Sequence, residues 1–293
     1  MDKRDFKIGA DPEMGFVKGG SLIQARSIVT GSTSTKFGLD GCSAIAELRP
    51  DADEDPLAVV ESIQGTMLRG ANTNYETLND EIEWKAGSYV INQPIGGHIH
   101  FGVRGMGLKA DRAIGSLDTW LAQPVLLLED KEEAVQRRKN HGYGHLADHR
   151  PQPWGFEYRT LGSWITSPQV AAGVLCLAKT IMWEVINHDL SPHVHPTDIT
   201  PYGDDTFILA DMPKFRAKFP TLWEHVKKME LYEKYKEPID FIGSLIERKA
   251  KWFPKCGTKE AWEIKDTRIK METISTTSIW NEDPALLRVE AVA

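Results

Sequence analysis

GGHIHFG, residues 96–102, places two histidines two positions apart between glycines. If this segment is a β-strand, residues two apart point to the same side, so His98 and His100 share one face while Ile99 and Phe101 share the other. A strand of this kind predicts a sheet with one polar face and one buried face. The glycines that precede the histidines keep the approach to the polar face open.

The same spacing recurs in three other segments that are predicted to be strands. Each segment carries two charged residues separated by an apolar residue, an aromatic residue or proline: Asp11 and Glu13 in GADPEMG, Glu47 and Arg49 in AELRP, and Glu157 and Arg159 in GFEYRTL. Unpaired charge is strongly unfavourable in a dry core, so these faces cannot all be buried there. If the four strands belong to one sheet, their charged faces form one solvated surface, which predicts a site.

The pattern of apolar residues predicts an α+β fold, in which a mixed sheet has helices on one side. Strands are expected at residues 6–17, 21–25, 42–48, 84–91, 95–103 and 156–161. Helices are expected from residues 51–56 onward, over 110–128, from 167 to about 185, and as one or two charged helices within 213–251. The connections vary in length, which does not fit regular βαβ alternation.

The organisation predicted along the chain is a core at residues 1–190 and a helical C-terminal region at 191–293, packed on that core. Residues 191–205 are rich in Pro, His and Asp and are interpreted as a loop, whose histidines, His193 and His195, are assigned no site. The tail beyond residue 278 is expected to be peripheral.

Composition excludes several classes of protein. The chain has 293 residues and a net charge of −7, which argues against generic nucleic-acid binding. Its three cysteines are far apart and give no disulfide framework, so a reducing compartment is expected. The N-terminal stretch lacks the apolar region of a signal peptide, and the longest apolar run, 170–181, is too short to span a bilayer. These features predict a cytoplasmic protein without a membrane segment.

The residues of the polar face indicate phosphate chemistry with divalent cations. Carboxylates and an imidazole suit Mg²⁺ or Mn²⁺, and Mg²⁺ usually keeps substrate phosphates among its ligands. Arginines offer planar donors that match phosphate or carboxylate, and the candidates are Arg49, Arg137, Arg138, Arg150 and Arg159. The sequence contains no GxxxxGK[ST], HExxH or GxSxG motif. A phosphate site is therefore expected on the sheet face and not in a glycine-rich loop.

Simpler interpretations exist for each pair taken alone. Asp-Pro is common at turns, and Glu47 with Arg49 is compatible with ordinary cross-strand ion pairing. Glu157 and Arg159 are likewise able to satisfy each other. Two histidines on one strand face, with glycines beside them, favour a functional interpretation.

Taken in order, the four motifs resemble the catalytic sheet shared by glutamine synthetase and γ-glutamylcysteine ligase. The sequence resembles most closely the phage-type COOH–NH₂ ligases, an amidoligase branch of that superfamily. The shared pattern is DPE, an AELRP-like strand, GGHxHFG, a YG…D.R stretch and EYRTL.SW, and the YG…D.R stretch is Tyr143, Gly144, Asp148 and Arg150. The resemblance covers about residues 5–190. It departs at Asp11, where glutamine synthetases have Glu, so the shorter side chain leaves direct metal ligation by Asp11 open.

The resemblance implies a glutamine-synthetase-like sheet and a role for each matching residue. The implied ligands of Mg²⁺ or Mn²⁺ are Glu13, Glu47, His98 and Glu157, assisted by Asp11. His100 would face nucleotide phosphate or the acyl substrate, and Arg159 would contact the transferring phosphoryl group. Arg150, with Arg49 or Arg138, would bind phosphate or substrate carboxylate. The residues expected to be catalytic are Arg159, Arg150, Glu47 and His100.

The function implied is an ATP-dependent ligase that forms an amide through an acyl phosphate. The acid would be glutamate-like or a peptide carboxylate, and the amine an amino acid, a peptide, a polyamine or a modified nucleobase. The His-rich segment 140–151 is expected to act as a lid over the intermediate. An oligomer is compatible with the resemblance, and a phage-encoded protein would work in the host cytoplasm. The alternatives are a guanidine kinase-like phosphotransferase and a non-catalytic phage protein that binds metal or nucleotide.

Overall fold

The computed structural model describes residues 3–105, 109–188, 204–264 and 287–289. The strands are β1 (Ile8–Lys18), β2 (Ser21–Ile23), β3 (Phe37–Leu39), β4 (Ala46–Leu48), β5 (Glu83–Lys85), β6 (Tyr89–Val90), β7 (Gln93–Pro94), β8 (Gly97–Phe101), β9 (His149–Gln152), β10 (Gly155–Tyr158), β11 (Ala250–Pro254) and β12 (Leu287–Val289). The α-helices are α1 (Pro56–Thr73), α2 (Lys109–Leu117), α3 (Gln123–Leu126), α4 (Lys131–Val135), α5 (Pro168–Asn187), α6 (Asp204–Ile208), α7 (Met212–Val226), α8 (Lys236–Glu247) and α9 (Thr258–Ala261). Single π-helical turns at Asp118–Ala122 and Gln136–Asn140 follow α2 and α4.

One sheet organises the described part of the chain. Its main path runs β3-β4-β1-β8-β10-β9, and β2 and β5 pair with the far half of the long strand β1. The pairings within it are antiparallel. This confirms the predicted α+β class with a mainly antiparallel sheet.

The register of the central strands brings the charged pairs onto one face. The directly opposed residues are Asp11 with His98, Glu13 with Glu47, Glu157 with His100 and Glu157 with Arg150. Side chains that are opposite each other in an antiparallel pair lie on the same side of the sheet. The four motifs therefore do share a surface, as their period of two predicted.

The other face of the sheet is apolar and buried. It presents Ile8, Ala10, Met14, Phe16, Ala46, Leu48, Ile99, Phe101, Phe156 and Tyr158 to the core. Helix α1 packs on this side and α5 packs on α1. Each helix begins with a side-chain cap that is followed by proline. Asp55 accepts a hydrogen bond from the Leu57 N–H in α1, and Ser167 accepts one from the Val170 N–H in α5.

Helix α5 is long and apolar enough to cross a membrane by length and composition alone. In the described residues it is the one helix with this property, and 83% of its most apolar window is buried within the protein. Burial of that extent is typical of a core helix.

Several segments differ from the secondary structure that was predicted for them, and the strand predicted at 84–91 is divided into β5 and β6. Residues 42–44 precede β4 as a loop, because the backbone of 43–44 bonds to the 3₁₀ turn at Ala25–Ser27. Residues 149–152, predicted as part of a lid, form the edge strand β9, where Pro151 costs no ladder bond. Residues 250–251 were predicted to end the charged helices and instead begin β11, which pairs with β12.

The described part of the C-terminal region packs on the core. Helix α8 packs on α5. The Trp252 N–H donates to the Leu128 carbonyl at 3.1 Å, and the Trp262 indole donates to the Ile165 carbonyl at 2.8 Å. A boundary at residue 190 stays a prediction. The predictions for 191–203, including His193 and His195, and for most of the tail beyond 278 lie outside the described residues.

A two-residue turn, Ile91-Asn92, joins β6 to β7 with positive φ at both positions, 38° and 63°. Such hairpin turns favour Asn and Gly, whereas a β-branched residue in this region is strained by about 1–2 kcal/mol. Ile91 is also 39% exposed, so it has little packing to lose. We expect Ile91→Asn to raise the free energy of unfolding by about 1 kcal/mol in urea denaturation.

The matched control is Leu209→Asn. Leu209 is 49% exposed, and its φ is not positive. No gain in stability is expected there, because no strain is relieved. Equal gains at both positions would show that removing exposed apolar surface, and not backbone strain, explains the result at Ile91.

Candidate active site

A cavity of about 330 Å³ opens on the polar face of the sheet. Its walls come from the central strands, from the loop before β4, from β7 and from the segment before β9. The lining residues are Asp11, Glu13, Asp40, Cys42, Glu47, Gln93, Pro94, His98, Tyr143, Arg150, Glu157 and Arg159. Five carboxyl groups face two guanidinium groups in this set, so the cavity has an excess of negative charge that favours cations.

At the centre of this face, polar atoms converge without satisfying one another. Oδ1 of Asp11 lies 3.1 Å from Nδ1 of His98 and 3.1 Å from Nε2 of His100, and Oε1 of Glu157 lies 3.2 Å from the same His98 atom. All four atoms are buried, yet none makes a hydrogen bond of acceptable geometry. Buried polar atoms of this kind need a partner, and a cation placed among them would supply one.

The donor set fits a divalent metal ion. One ligand atom from each of Asp11, His100 and Glu157 lies within 4.8 Å of the others. Carboxylate oxygens suit Mg²⁺ or Mn²⁺ in sites that also bind phosphate, and the imidazole nitrogen favours Mn²⁺ of the two. This group contains His100, which was expected to face phosphate, and not His98, which was expected to be the ligand.

His98 is held from its other ring nitrogen. Its Nε2 is hydrogen-bonded to the hydroxyl of Tyr143, and that hydroxyl donates to Oε1 of Glu13 at 3.1 Å. Oε2 of Glu13 accepts from the Gly96 N–H at 2.7 Å. Burial alone would lower the pKa of His98, but Asp11, Glu13 and Glu157 raise it above the ordinary value of 6.5. The free nitrogen of the ring therefore points at the cluster of carboxylates.

A second acidic group lies further along β1. Glu13 and Glu47 are directly opposed across β1 and β4, and Asp40 lines the same end of the cavity. Burial and the charge of Asp11 raise the pKa of Glu47 to about 9, despite the contact of Glu47 with Arg49. Burial, with the charge of Asp40, also raises the pKa of Glu13. Glu47 therefore holds a proton at neutral pH when no cation balances the charge of this end of the cavity.

Asp11 behaves differently from these two acids. Burial alone would raise its pKa, but the neighbouring imidazoles of His100 and His98 lower it below the ordinary value of 3.8. Asp11 is therefore ionised throughout the neutral range, as a metal ligand must be.

Two arginines flank Glu157 from one side. Nη1 of Arg150 lies 3.3 Å from Oε2 of Glu157, and Nε of Arg159 lies 3.4 Å from Oε1. Arg159 also lies 3.7 Å from Asp148, while the side chain of Arg150 is 54% exposed. Both guanidinium groups keep donors that face the cavity, which suits binding of phosphoryl oxygens.

Two other predicted residues contact the lining without belonging to it. Arg49 bonds Glu47 and donates to the carbonyls of Thr35 and Leu39, both at 2.9 Å, so it holds β3 and its neighbouring loop in place. His100 lies under the ring of Trp154, with centroids 5.2 Å apart. A phosphate contact for Arg49 stays a prediction.

The placement of Arg138 contradicts the prediction that it binds phosphate or substrate carboxylate. Its side chain is fully buried and forms two hydrogen bonds of 2.8 Å with Glu129. Its guanidinium also lies over the ring of Phe207, 4.4 Å from the centroid. A guanidinium enclosed in this way has no surface for a ligand, and its role is to hold α4 and the following turn against α6.

Arg138→Gln should lower the free energy of unfolding by about 3–5 kcal/mol. The substitution leaves the fully buried Glu129 carboxylate without its cation, and breaking one partner of a buried ion pair has a cost of this order. Chemical denaturation at neutral pH measures it. Arg26→Gln, at an exposed position, serves as control and should change the value by no more than about 0.5 kcal/mol. A similarly small change at Arg138 would contradict the structural role.

Sequence patterns missed several residues that line the cavity. Asp40 and Cys42 come from the loop before β4, Gln93 and Pro94 fell between two predicted strands, and Tyr143 was noted only as part of a motif without a role. Each reaches the cavity from outside the alternating strands, so periodicity gave no signal for it.

The model of the family described as "Phage phiEco32-like COOH.NH2 ligase-type 2" matches residues 8–264. The match extends well beyond residue 190, where the resemblance in sequence was expected to end. No curated protein matches the chain.

Three solved structures are similar to the chain. The ligase PafA, crystallised with the prokaryotic ubiquitin-like protein Pup, is 11% identical with a TM-score of 0.58, and the match covers 90% of this chain and 66% of PafA, just under two thirds. A bifunctional glutathione synthetase from Pasteurella multocida is 10% identical with a TM-score of 0.47, covering 89% of this chain and 51% of that one. A glutamine synthase homolog is 14% identical with a TM-score of 0.38, covering 83% and 71%. At this level of identity the likeness to PafA shows a common fold.

Proposed function

This chain belongs to the phage phiEco32-like COOH.NH2 ligase-type 2 family, and from that premise we propose that it joins a carboxylate to an amine with ATP, through an acyl phosphate, in the cavity on the polar sheet face. The observation that carries the proposal is the cluster of buried, unpartnered acid and imidazole atoms flanked by two arginines. Such a cluster suits a triphosphate with its divalent cation, because both charges are then balanced.

The first step is phosphoryl transfer to the acid. A carboxylate oxygen of the substrate attacks the γ-phosphorus of ATP, the bond to the β-phosphate oxygen breaks, and ADP leaves. Arg159 and Arg150, which line the cavity, would donate hydrogen bonds to the phosphoryl oxygens and stabilise their charge. A divalent cation held by Asp11, His100 and Glu157 would neutralise further charge on those oxygens.

The second step forms the amide. The amine nitrogen attacks the acyl carbon, inorganic phosphate leaves, and the nitrogen loses a proton. We assign the binding of the amine to Asp40 at the acidic end of the cavity, because a carboxylate that holds no cation attracts a protonated amine and accepts the proton that it loses. Glu47 keeps its proposed catalytic role as a ligand of the cation.

The remaining roles implied by the sequence are kept as proposals. Glu13, Glu47 and His98 complete the binding of Mg²⁺ or Mn²⁺ around the central group. Residues 149–151 of the predicted lid belong to β9 within the sheet, so residues 140–148 remain as the proposed lid. The acid is a glutamate-like molecule or a peptide, and the amine an amino acid, peptide, polyamine or modified nucleobase.

The test is an incubation with ATP, Mg²⁺ and pools of acids and amines, followed by detection of ADP, phosphate and new amides by mass spectrometry. The proposal expects ADP and phosphate in amounts equal to the amide, and only when an acid and an amine are both present. A phosphorylated guanidine without amide would establish the kinase alternative instead. Absence of turnover with every pool, with nucleotide still bound, would establish the non-catalytic alternative.

A further inference from the structure

Arg137 is a fully buried cation next to the cavity. Its guanidinium binds backbone carbonyl groups, whereas a buried arginine usually pairs with a carboxylate. Its guanidinium donates to the carbonyls of Thr160 and Leu161, both at 2.7 Å, and of Arg159 at 3.2 Å. Among the described residues, no carboxylate is ion-paired with it. These carbonyls belong to the chain that continues from β10, so Arg137 fixes the backbone that carries Arg159.

The same guanidinium supports Tyr143. It lies under the tyrosine ring, 4.4 Å from the centroid. The hydroxyl at the other end of that ring binds Nε2 of His98 and Oε1 of Glu13. Arg137 thus reaches three side chains of the cavity, one through the backbone and two through Tyr143, without contacting a ligand itself.

Gly144 shows how closely the chain is fitted around this arginine. A Cβ atom at position 144 would lie 1.7 Å from Nη1 of Arg137, which leaves no room for any other residue. The φ of Gly144 is +74°, which also favours glycine. The ring of Tyr143 therefore packs on the guanidinium of Arg137, and the absence of a side chain at Gly144 leaves the space that this guanidinium occupies.

Burying a cation without an ion-pair partner is unfavourable, and an apolar residue of similar volume would satisfy packing alone. From this we propose that Arg137 is a positioning residue for the ligase site, acting through Tyr143 on His98 and Glu13 and through the backbone on Arg159. This inference rests on the proposed function for its effect on turnover, but its effect on His98 is independent of turnover.

The experiment compares Arg137→Lys, Tyr143→Phe and the double variant. Lysine keeps the charge but loses the planar fork, and phenylalanine keeps the ring but loses the hydroxyl. We expect each single variant to lower kcat at least tenfold. Since the two substitutions share the route through Tyr143, the loss of kcat in the double variant should fall clearly short of the product of the two single losses. A purely structural role predicts losses that multiply.

Tyr158→Phe is the matched control. Tyr158 is fully buried and donates to Asp118 at 2.6 Å, so the same substitution removes the same kind of bond away from the cavity. It should lower stability and leave kcat unchanged. Because Arg137→Lys can fail to fold, Tyr143→Phe provides a second test of the same chain of contacts.

The second measurement is the ¹⁵N spectrum of the His98 ring in the metal-free protein, assigned with His98→Gln. The His98 signals should shift in Arg137→Lys and in Tyr143→Phe but stay in place in Tyr158→Phe. Unchanged His98 signals in both test variants overturn the inference, as does wild-type kcat in both. If the wild-type protein shows no turnover while the His98 signals shift, the proposed function fails and the positioning role stands.

Discussion

Glu157→Gln should lower turnover by about 10²–10³-fold while the fold stays intact. Oε1 of Glu157 lies 3.2 Å from His98 and 3.4 Å from Arg159, and Oε2 lies 3.3 Å from Arg150. The carboxylate therefore joins the candidate metal group to both arginines. Glutamine keeps the shape of the side chain but removes the charge, and its amide group directs N–H donors at a neighbouring cation.

Steady-state kinetics on the substrates found with the pooled assay measures this effect. Glu184→Gln is the control, because Glu184 is also buried and accepts a bond from the Glu230 N–H at 2.6 Å on the far helix α5. It should affect stability and leave kcat unchanged. Wild-type turnover in Glu157→Gln would place the chemistry elsewhere in the molecule.

The sheet and its polar face could be predicted because the relevant signal is local. A spacing of two sets the face of each residue within a strand, and Asp11, Glu47, His98 and Glu157 each lie in a segment that shows it. The order of the motifs then matched a known sheet. The register between neighbouring strands is then constrained, because a shift of one residue would turn the charged side chains of a strand toward the apolar core.

The remainder depends on partners that are distant in sequence. Nothing near Arg138 indicates that its guanidinium will lie over Phe207, which belongs to the C-terminal region and encloses the ion pair of Arg138 with Glu129. Asp40 reaches the cavity from a loop whose course is set by bonds to the 3₁₀ turn at 25–27. The residues of β9 were predicted to be part of a His-rich lid, because their pairing with β10 depends on tertiary contacts that the local sequence does not show.

Affinity for divalent cations should rise with pH between about 6 and 9. Burial and Asp11 raise the pKa of Glu47 to about 9, so the metal-free protein holds a proton there at neutral pH. A cation that binds this carboxylate must displace the proton, and one displaced proton changes affinity by about tenfold per pH unit. The Kd for Mn²⁺ should therefore fall by about a hundredfold from pH 6.5 to 8.5, measured by titration calorimetry at constant ionic strength.

The stability of the metal-free protein should move in the opposite direction, and Glu47→Gln separates the two effects. The folded protein holds the Glu47 proton more tightly than the unfolded chain, whose ordinary pKa is 4.5. The stabilisation is complete below about pH 4.5 and is lost as pH rises toward 9. Without metal, the Tm of the wild type should thus fall across this range more steeply than that of Glu47→Gln. Bound Mn²⁺ should raise the Tm of the wild type most at high pH. A Kd for Mn²⁺ that does not vary with pH would contradict the prediction, because it would mean that Glu47 holds no proton for the metal to displace.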